Sequence, residues 1–252
     1  MLRTLVGTLL LLAGAAAMTA DAQDRPRAFL ELFTSQGCSS CPAADKLLGE
    51  LEEDGVLAVT MPVKLWDFLG WADTLATEAS TKRQIAYSVA RGDRDVYTPQ
   101  MVVNGQTDVL GSDRAAIEAA VAGEEGAGLP LPIDLSVRDS VLTIRAGEAD
   151  IQASQVTLWL LVVDEEVNVP IGGGENRGRK LTYHNVVRSM RPVGMWKGDP
   201  LALDLPLSDV EKRGGASCYV IAQVETFRGP GRIVGAAKLD RLFPARTVRA
   251  ER

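Results

Sequence analysis

The sequence predicts an α/β domain followed by an all-β domain, because its hydrophobic pattern changes character near residue 123. Before that point, short apolar runs alternate with segments whose apolar residues recur at helical spacing, as in strands that alternate with helices. After residue 130, seven short apolar segments follow one another without a helical pattern, which is typical of an antiparallel β-sandwich. The glycine-rich stretch at 123–128 separates the two parts. We therefore expect domains at 26–123 and 130–243.

The first domain contains alternating strand and helix patterns in chain order. Asn104-Gly105 is a strong hairpin signal between its last two strands, and Ser112 is expected to cap its last helix. The order β-α-β-α-β-β-α is that of a thioredoxin fold with a helical insert or a lengthened central helix. We place the strands at 28–33, 56–63, 98–103 and 108–110, and the helices at 42–53, 72–90 and 113–121.

The second domain is expected to be built from strands alone, separated by turns rich in Gly, Pro and Asp. Its length, from residue 130 to residue 243, is within the usual size of a β-sandwich. The basic tail that follows is expected to be loosely held. We place the seven strands at 133–137, 141–145, 156–163, 181–187, 201–207, 218–225 and 233–237.

The first 22 residues have the pattern of a signal peptide. Arg3 supplies the positive start, an apolar core runs from Leu5 to Met18, and Ala20-Asp21-Ala22 is a small-x-small cleavage signal. This pattern predicts an exported, periplasmic protein in an oxidising compartment. If the segment stayed uncleaved, it would instead be an N-terminal membrane anchor.

The overall charge excludes one class of partner. The chain of 252 residues has a formal net charge of −6, and no cluster of basic residues lies behind that average. Proteins that bind nucleic acid need a basic patch to neutralise phosphates. We therefore expect no nucleic-acid partner.

Cys38 and Cys41 carry the strongest chemical signal, because they fall where a strand gives way to a helix. Unpaired N–H groups and the positive end of the helix dipole stabilise a thiolate at that position. Three residues further on, the second sulfur lies close enough to attack a mixed disulfide formed by the first. Pro42 suits a first helical turn. The pair therefore predicts thiol–disulfide exchange, with Cys38 as the attacking thiolate and Cys41 as the resolving cysteine.

Metal binding is the main alternative for the same cysteines. Structural zinc needs four Cys or His ligands, and the only others are Cys218 and His184, both distant in sequence. Copper is the stronger rival, because thiolates suit Cu(I) and His184 could complete a three-ligand set. We otherwise expect Cys218 to be a buried free thiol and His184 a hydrogen-bonded structural residue.

The residues around the cysteines also carry a family resemblance. The run Glu-Leu-Phe-Thr-Ser-Gln-Gly-Cys-Ser-Ser-Cys-Pro at 31–42 resembles the motif of a secreted bacterial thioredoxin-like family that is catalogued as a domain of unknown function. The likeness extends from about residue 28 to about residue 238. Further matching segments are Trp66-Asp67, Leu69-Gly70-Trp71, 97–103, 175–179 and Gly229-Pro230-Gly231.

The resemblance implies roles for individual residues. It implies that Thr98–Pro99 is a cis peptide bond facing the cysteines, with the Thr98 backbone pairing with an extended substrate. It also places Glu31 near the position of a buried acid that accepts a proton from the resolving cysteine. A carboxylate at a strand edge, or one paired with Lys64, is the alternative for Glu31.

Two further segments are expected to take part in binding. Trp66 resembles part of an aromatic loop, which either packs in the core or forms a lip around the cysteines. The segment 172–179 is expected to form a polar hairpin that reaches the cysteine pair, with Arg177 or Arg179 binding partner proteins.

The sequence thus predicts an exported thiol–disulfide oxidoreductase without a dissociable cofactor or a metal. Its partners would be exported proteins with thiols or disulfides, together with a redox partner protein. The alternatives are a copper-handling protein that uses the same cysteines, and a binding scaffold with a vestigial redox site.

Overall fold

The computed structural model describes residues 25–52, 55–125, 128–153, 155–211 and 216–242. The predicted signal peptide and the basic tail after residue 243 lie outside these ranges. None of the helices within them is both long enough and apolar enough to cross a membrane.

The chain forms an α/β structure with one large mixed sheet and one small antiparallel sheet. In chain order the strands are β1 (Phe29–Thr34), β2 (Leu57–Pro62), β3 (Gln100–Val103), β4 (Thr107–Leu110), β5 (Ile133–Arg138), β6 (Val141–Ala146), β7 (Val156–Pro170), β8 (Lys180–Trp196), β9 (Leu201–Pro206), β10 (Ser217–Thr226) and β11 (Gly229–Leu239). The helices are α1 (Cys41–Leu51), α2 (Glu78–Arg91), α3 (Arg114–Glu125) and the short α4 (Leu207–Glu211), with a 3₁₀ turn at Asp67–Leu69.

The eight-stranded sheet has the order β11-β10-β7-β8-β2-β1-β3-β4, and β5, β6 and β9 form the three-stranded sheet. Strands from both sides of the glycine-rich stretch thus share one sheet, which differs from the expected separate sandwich. The junction is the parallel pair β2–β8, where Thr60 lies opposite Val186. Because β2 is almost completely buried, its open edge needs a covering strand. The long β7–β8 hairpin supplies that strand.

Helices cover both faces of the N-terminal strands. Leu30 and Leu32 of β1 pack with α1 and α3, while Phe29 and Phe33 on the opposite face pack with Tyr87 of α2. The three-stranded sheet packs on one face of β7 and β10 through a separate apolar cluster. The cysteine-bearing helix α1 is therefore fixed against one face of the sheet.

The observed helix α2 begins six residues later than expected. Residues 72–76 are held in a turn, because the Asp73 carboxylate accepts hydrogen bonds from the backbone N–H groups of Leu75 and Ala76. Thr77 then caps the helix by accepting a bond from Ser80 N–H. The expected hairpin at Asn104-Gly105 is present, and both of its residues have positive φ.

Glu31 lies at the centre of a buried polar network on the α2 face of the sheet. Its carboxylate accepts two hydrogen bonds from the Arg83 guanidinium and one from Tyr87. Gln223 of β10 accepts from Arg83 and donates to Tyr87. Burial alone would lower the pKa of Arg83, and the Glu31 charge reverses that effect and raises it. The network joins β1, α2 and β10, so it ties the two parts of the chain together.

Replacement of Arg83 by Met should strongly destabilise the protein, because it leaves the fully buried Glu31 carboxylate without its counter-charge. Loss of one partner from a buried pair costs about 3–5 kcal/mol. Urea denaturation of the disulfide-bonded protein measures this cost. Lys82→Met is the matched control, since Lys82 is 73% exposed and its pair with Glu78 is a surface pair. The control should change the unfolding free energy by less than about 0.5 kcal/mol. Equal effects of the two substitutions would contradict this assignment.

Candidate functional site

The cysteine pair lies on the turn that joins β1 to α1. The backbone N–H of Cys38 donates to the carbonyl of Ser35, and Cys41 is the first residue of the helix. The two cysteines are joined by a disulfide bond. Cys38 is 6% exposed and Cys41 is fully buried, while Ser39 and Ser40 between them are exposed. An incoming sulfur can therefore approach Cys38 but not Cys41.

The segment around Pro99 faces the more exposed cysteine. The Thr98–Pro99 bond is cis, as the resemblance implied, and Sγ of Cys38 lies 3.6 Å from the carbonyl oxygen of Thr98. The indole N–H of Trp66 donates to the Thr98 hydroxyl over 2.6 Å. Trp66 also packs on Gly37, where a methyl group would come within 3.0 Å of the Trp66 Cβ atom. Thr98, Pro99 and Trp66 thus border Cys38.

The loop between β7 and β8 holds the cysteine turn from the other side. Asn176 is almost fully buried, and its amide nitrogen donates to the carbonyls of Gln36, over 2.9 Å, and Cys38, over 2.8 Å. Glu175 accepts a 3.3 Å hydrogen bond from the backbone N–H of Ser39. This polar loop therefore reaches the cysteines, as the hairpin hypothesis required.

The two arginines of this loop have different positions. Arg179 donates to the side-chain oxygen of Asn176 over 2.8 Å, so it lies two hydrogen bonds from Cys38. Arg177 is exposed, and its backbone N–H donates to Gly174. Both arginines are exposed, and Arg179 also supports the turn through Asn176.

The three consecutive glycines within this loop, Gly172 to Gly174, make room for Trp71. A methyl group at Gly172 would lie 2.7 Å from the Trp71 ring, and one at Gly173 would lie 2.7 Å from the Gly70 carbonyl. The Trp71 N–H in turn donates to the side chain of Gln36 over 2.8 Å. Trp71 therefore packs between the glycines and the cysteine turn.

Asp45 is a functional candidate that the sequence analysis missed. It follows Cys41 by four residues on α1, so both lie on the same helix face. It is 2% exposed, and neither carboxylate oxygen has a hydrogen-bond partner among the described residues. Burial raises the pKa of Asp45 to about 8; the nearby Thr34 hydroxyl offsets part of this rise and the charge of Asp73 adds to it. The helical spacing of Cys41, Asp45 and Leu48 was the available signal.

Glu31 does not lie with the cysteines. Its side chain shares the face of β1 with Phe29 and Phe33, whereas α1 packs on Leu30 and Leu32. It occupies a central strand rather than an edge, and its charge partner is Arg83 rather than Lys64. The structure therefore removes the reason for giving Glu31 the proton transfer and leaves Asp45 as the acid next to the resolving cysteine.

The remaining metal-binding candidates do not converge. The His184 ring packs against α1, where a methyl group at Gly49 would lie 2.7 Å from its Cδ2 atom. Together with Asp45 it lines a cleft of about 220 Å³. Cys218 is fully buried in β10, and burial raises the pKa of its thiol to about 12. In the described ranges, no three His, Cys, Asp or Glu side chains are placed to hold a metal ion.

Replacement of Asn176 by Ala should destabilise the protein, because the buried Gln36 carbonyl loses its donor and the Cys38 carbonyl keeps only the 3.3 Å bond from the Cys41 N–H. An unsatisfied buried acceptor costs about 1–3 kcal/mol. Thermal or urea unfolding measures the loss. The control is Asn168→Ala on β7, where the amide is exposed and bonds only to surface groups. If the two variants were equally stable, the amide of Asn176 would not hold the turn.

Replacement of Asp45 by Asn should flatten the pH dependence of stability. The folded-state pKa is raised from 3.8 to about 8, so in this window the folded protein holds the proton more tightly than the unfolded chain. Stability is therefore lost as the pH rises through the window, by up to roughly 1.4 kcal/mol per pH unit. Urea denaturation of the oxidised protein between pH 4 and pH 8 should show this slope in the parent and a shallower one in Asp45→Asn, where Asp73, whose pKa is also raised by burial, keeps its own contribution. The exposed control Asp134→Asn should keep the parental slope. A parental slope in Asp45→Asn would contradict the assignment.

Comparison with known proteins places this site in a family. Residues 29–223 match the family model described as protein of unknown function (DUF1223). A protein from Agrobacterium tumefaciens, known from an X-ray crystal structure, is similar with 32% sequence identity and a TM-score of 0.78, over 92% of this chain and 100% of that chain. No curated protein matches the chain. The match to the family model covers well over half of the chain, and the chain therefore belongs to the DUF1223 family.

Proposed function

We propose that this protein is an exported thiol–disulfide oxidoreductase that exchanges disulfides with other exported proteins. The observation that carries the proposal is the disulfide at the amino end of α1, with Cys38 partly exposed and Cys41 sealed. The order of the N-terminal elements, β1-α1-β2-α2-β3-β4-α3, supports a thioredoxin-like arrangement for this part of the chain. The cis bond before Pro99, beside Cys38, fits the same arrangement.

The helix position supplies the chemistry that exchange needs. When the disulfide opens, the Cys38 sulfur lies at the amino end of an 11-residue helix, where the dipole and free N–H groups favour its thiolate. A stabilised thiolate is a better leaving group. It also means that a larger fraction of the cysteine is present as the attacking thiolate. Cys38, the more accessible of the two cysteines, therefore serves as the sulfur that bonds to the partner.

Exchange proceeds in two balanced steps. A partner thiolate attacks Cys38 Sγ, the Cys38–Cys41 bond breaks, and Cys41 leaves with the electron pair as a thiolate. A second partner thiolate then attacks the partner's sulfur in the mixed disulfide and releases the Cys38 thiolate. The partner has lost two electrons and the cysteine pair has gained them. The reverse sequence reduces a partner disulfide, and the relative potentials decide the direction.

Asp45 supplies or accepts the proton at Cys41. Because its pKa is raised to about 8 by burial, it is mostly protonated at neutral pH and can donate to the leaving Cys41 thiolate. In the reverse direction, the ionised form removes a proton from Cys41 before that sulfur attacks the mixed disulfide. The cleft that Asp45 lines with Lys46 and His184 gives this proton a path to solvent.

The signal-peptide pattern at 1–22 supports export, and export supplies partners with disulfides. Copper handling is the second candidate, since two thiolates could bind Cu(I). Its three-ligand form with His184 is not supported, because no such cluster forms among the described side chains. A scaffold with a vestigial redox site would not need a buried, unpaired carboxylate next to Cys41.

Replacement of Cys41 by Ser should trap partner proteins on Cys38, because the mixed disulfide then lacks its resolving sulfur. Expressed in its native host, the variant should carry covalent adducts that migrate separately only after reduction. Cys38→Ser should carry at least tenfold fewer adducts, and Cys218→Ser should match the parent because its thiol is buried. Stoichiometric Cu(I) binding by the parent, lost in either single variant and without adducts, would support the copper candidate instead. If neither adducts nor Cu(I) binding were found, the scaffold would be the remaining candidate.

A further inference from the structure

Next to the cysteine turn, the 3₁₀ segment Asp67–Leu69 presents large apolar side chains to solvent. Phe68 is 75% exposed and Leu69 is 38% exposed. The Phe68 ring lies 6.1 Å from the ring of Trp66, measured between centroids. We call Trp66, Phe68 and Leu69 the apolar rim.

The apolar rim is held in place by backbone and side-chain contacts. The N–H of Leu69 donates to the Trp66 carbonyl over 2.9 Å, and Gly70 ends the segment in the left-handed conformation with φ of 88°. The Asp67 carboxylate accepts a hydrogen bond from the N–H of Asp73. Phe68 is therefore exposed by a fixed turn rather than by a loose end of chain.

The apolar rim is continuous with the reactive sulfur. Trp66 donates to the Thr98 hydroxyl, and the Thr98 carbonyl lies 3.6 Å from Cys38 Sγ. A polypeptide whose cysteine bonds to Cys38 thus runs beside Thr98 and Trp66, and its neighbouring side chains reach Phe68. A small thiol that reaches the same sulfur is too short to do so.

We propose that the apolar rim is a docking surface for extended polypeptide segments that carry a large apolar side chain next to the reacting cysteine. Such segments are buried in folded proteins, so the partners are exported proteins that have not finished folding. This inference rests on the proposed exchange activity and adds the substrate class to it. Phe68 is the specificity-determining residue, and it takes no part in the electron transfer.

An apolar side chain of a partner gives the exposed Phe68 ring a contact that removes it from water. Removal of a phenylalanine-sized apolar surface from water strengthens association by a factor of about ten or more. This gain appears only with a partner whose own apolar side chain meets Phe68. Partners with small or polar neighbours, and low-molecular-weight thiols, receive none of it.

The experiment compares Phe68→Ser with the parent in the oxidised form. The second-order rate constant for reduction of the Cys38–Cys41 bond is measured with three thiols: a peptide with Leu on both sides of its cysteine, the same peptide with Ser in those places, and glutathione. We expect the parent to prefer the Leu peptide over the Ser peptide by about tenfold. Phe68→Ser should lose that preference and keep its rates with the Ser peptide and glutathione.

Phe227→Ser is the matched control. Phe227 is 95% exposed, and it lies in the turn between β10 and β11, where Arg228 borders the end of α2. The substitution removes a phenylalanine ring from the surface, as Phe68→Ser does, and it should leave all three rate constants unchanged.

Two outcomes would overturn the docking surface, and a third would overturn the exchange activity. A parent without preference for the Leu peptide overturns the docking surface, and so does an equal loss of all three rates in Phe68→Ser, which would mark a structural effect on the disulfide. A parent that reacts with none of the three thiols overturns the exchange activity itself.

Discussion

The buried amide of Asn176 is the contact on which the arrangement of the cysteine turn depends. Its two N–H donors bind backbone carbonyls of Gln36 and Cys38, residues that come about 140 positions earlier in the chain. Turn carbonyls at the end of a strand have no partner within regular secondary structure, and burial without a donor is costly. The amide therefore holds the backbone of the cysteine turn in place next to α1.

The same dependence of one part of the chain on the other recurs in the sheet. β8 continues the sheet from β2, and the Thr60 hydroxyl donates to the His184 carbonyl at that junction. On the face of β1 that α2 covers, Gln223 of β10 completes the network of Glu31 and Arg83. The C-terminal strands are thus part of the support of the site. A fragment limited to residues 26–123 would lose Asn176, the cover of β2 and one member of the buried network.

Local features could be predicted from the sequence, because short-range chemistry determines them. The strand-to-helix placement of the cysteines follows from an apolar run, turn residues and Pro42, and the turn at Asn104-Gly105 follows from two residues that tolerate positive φ. The start of α2 was misplaced, since the alanine-containing pattern at 72–76 gave no sign that Asp73 would hold those residues in a turn.

Long-range features could not be predicted from the sequence. The β2–β8 junction pairs Thr60 with Val186 in register, and one such pair leaves no pattern in either strand. The sequence also does not indicate on which face of β1 the Glu31 side chain lies. β1 is buried on both sides, so apolar residues occur at odd and even positions alike and do not indicate which side α1 covers.

Two buried carboxylates near β1, those of Glu31 and Asp45, differ in their hydrogen bonding, and this difference bears on the chemistry of the site. Glu31 is fully buried, and its carboxylate accepts hydrogen bonds from Arg83 and Tyr87, so its charge is compensated by the Arg83 guanidinium. Asp45 is almost as buried, and its carboxylate oxygens have no hydrogen-bond partner among the described residues. Burial raises its pKa to about 8, so the group keeps its proton near neutral pH and the fold loses stability as the pH rises. Under the proposed exchange function, a buried carboxyl group one helical turn from Cys41 serves the proton that the sulfur gains and loses, and packing alone gives no reason for it.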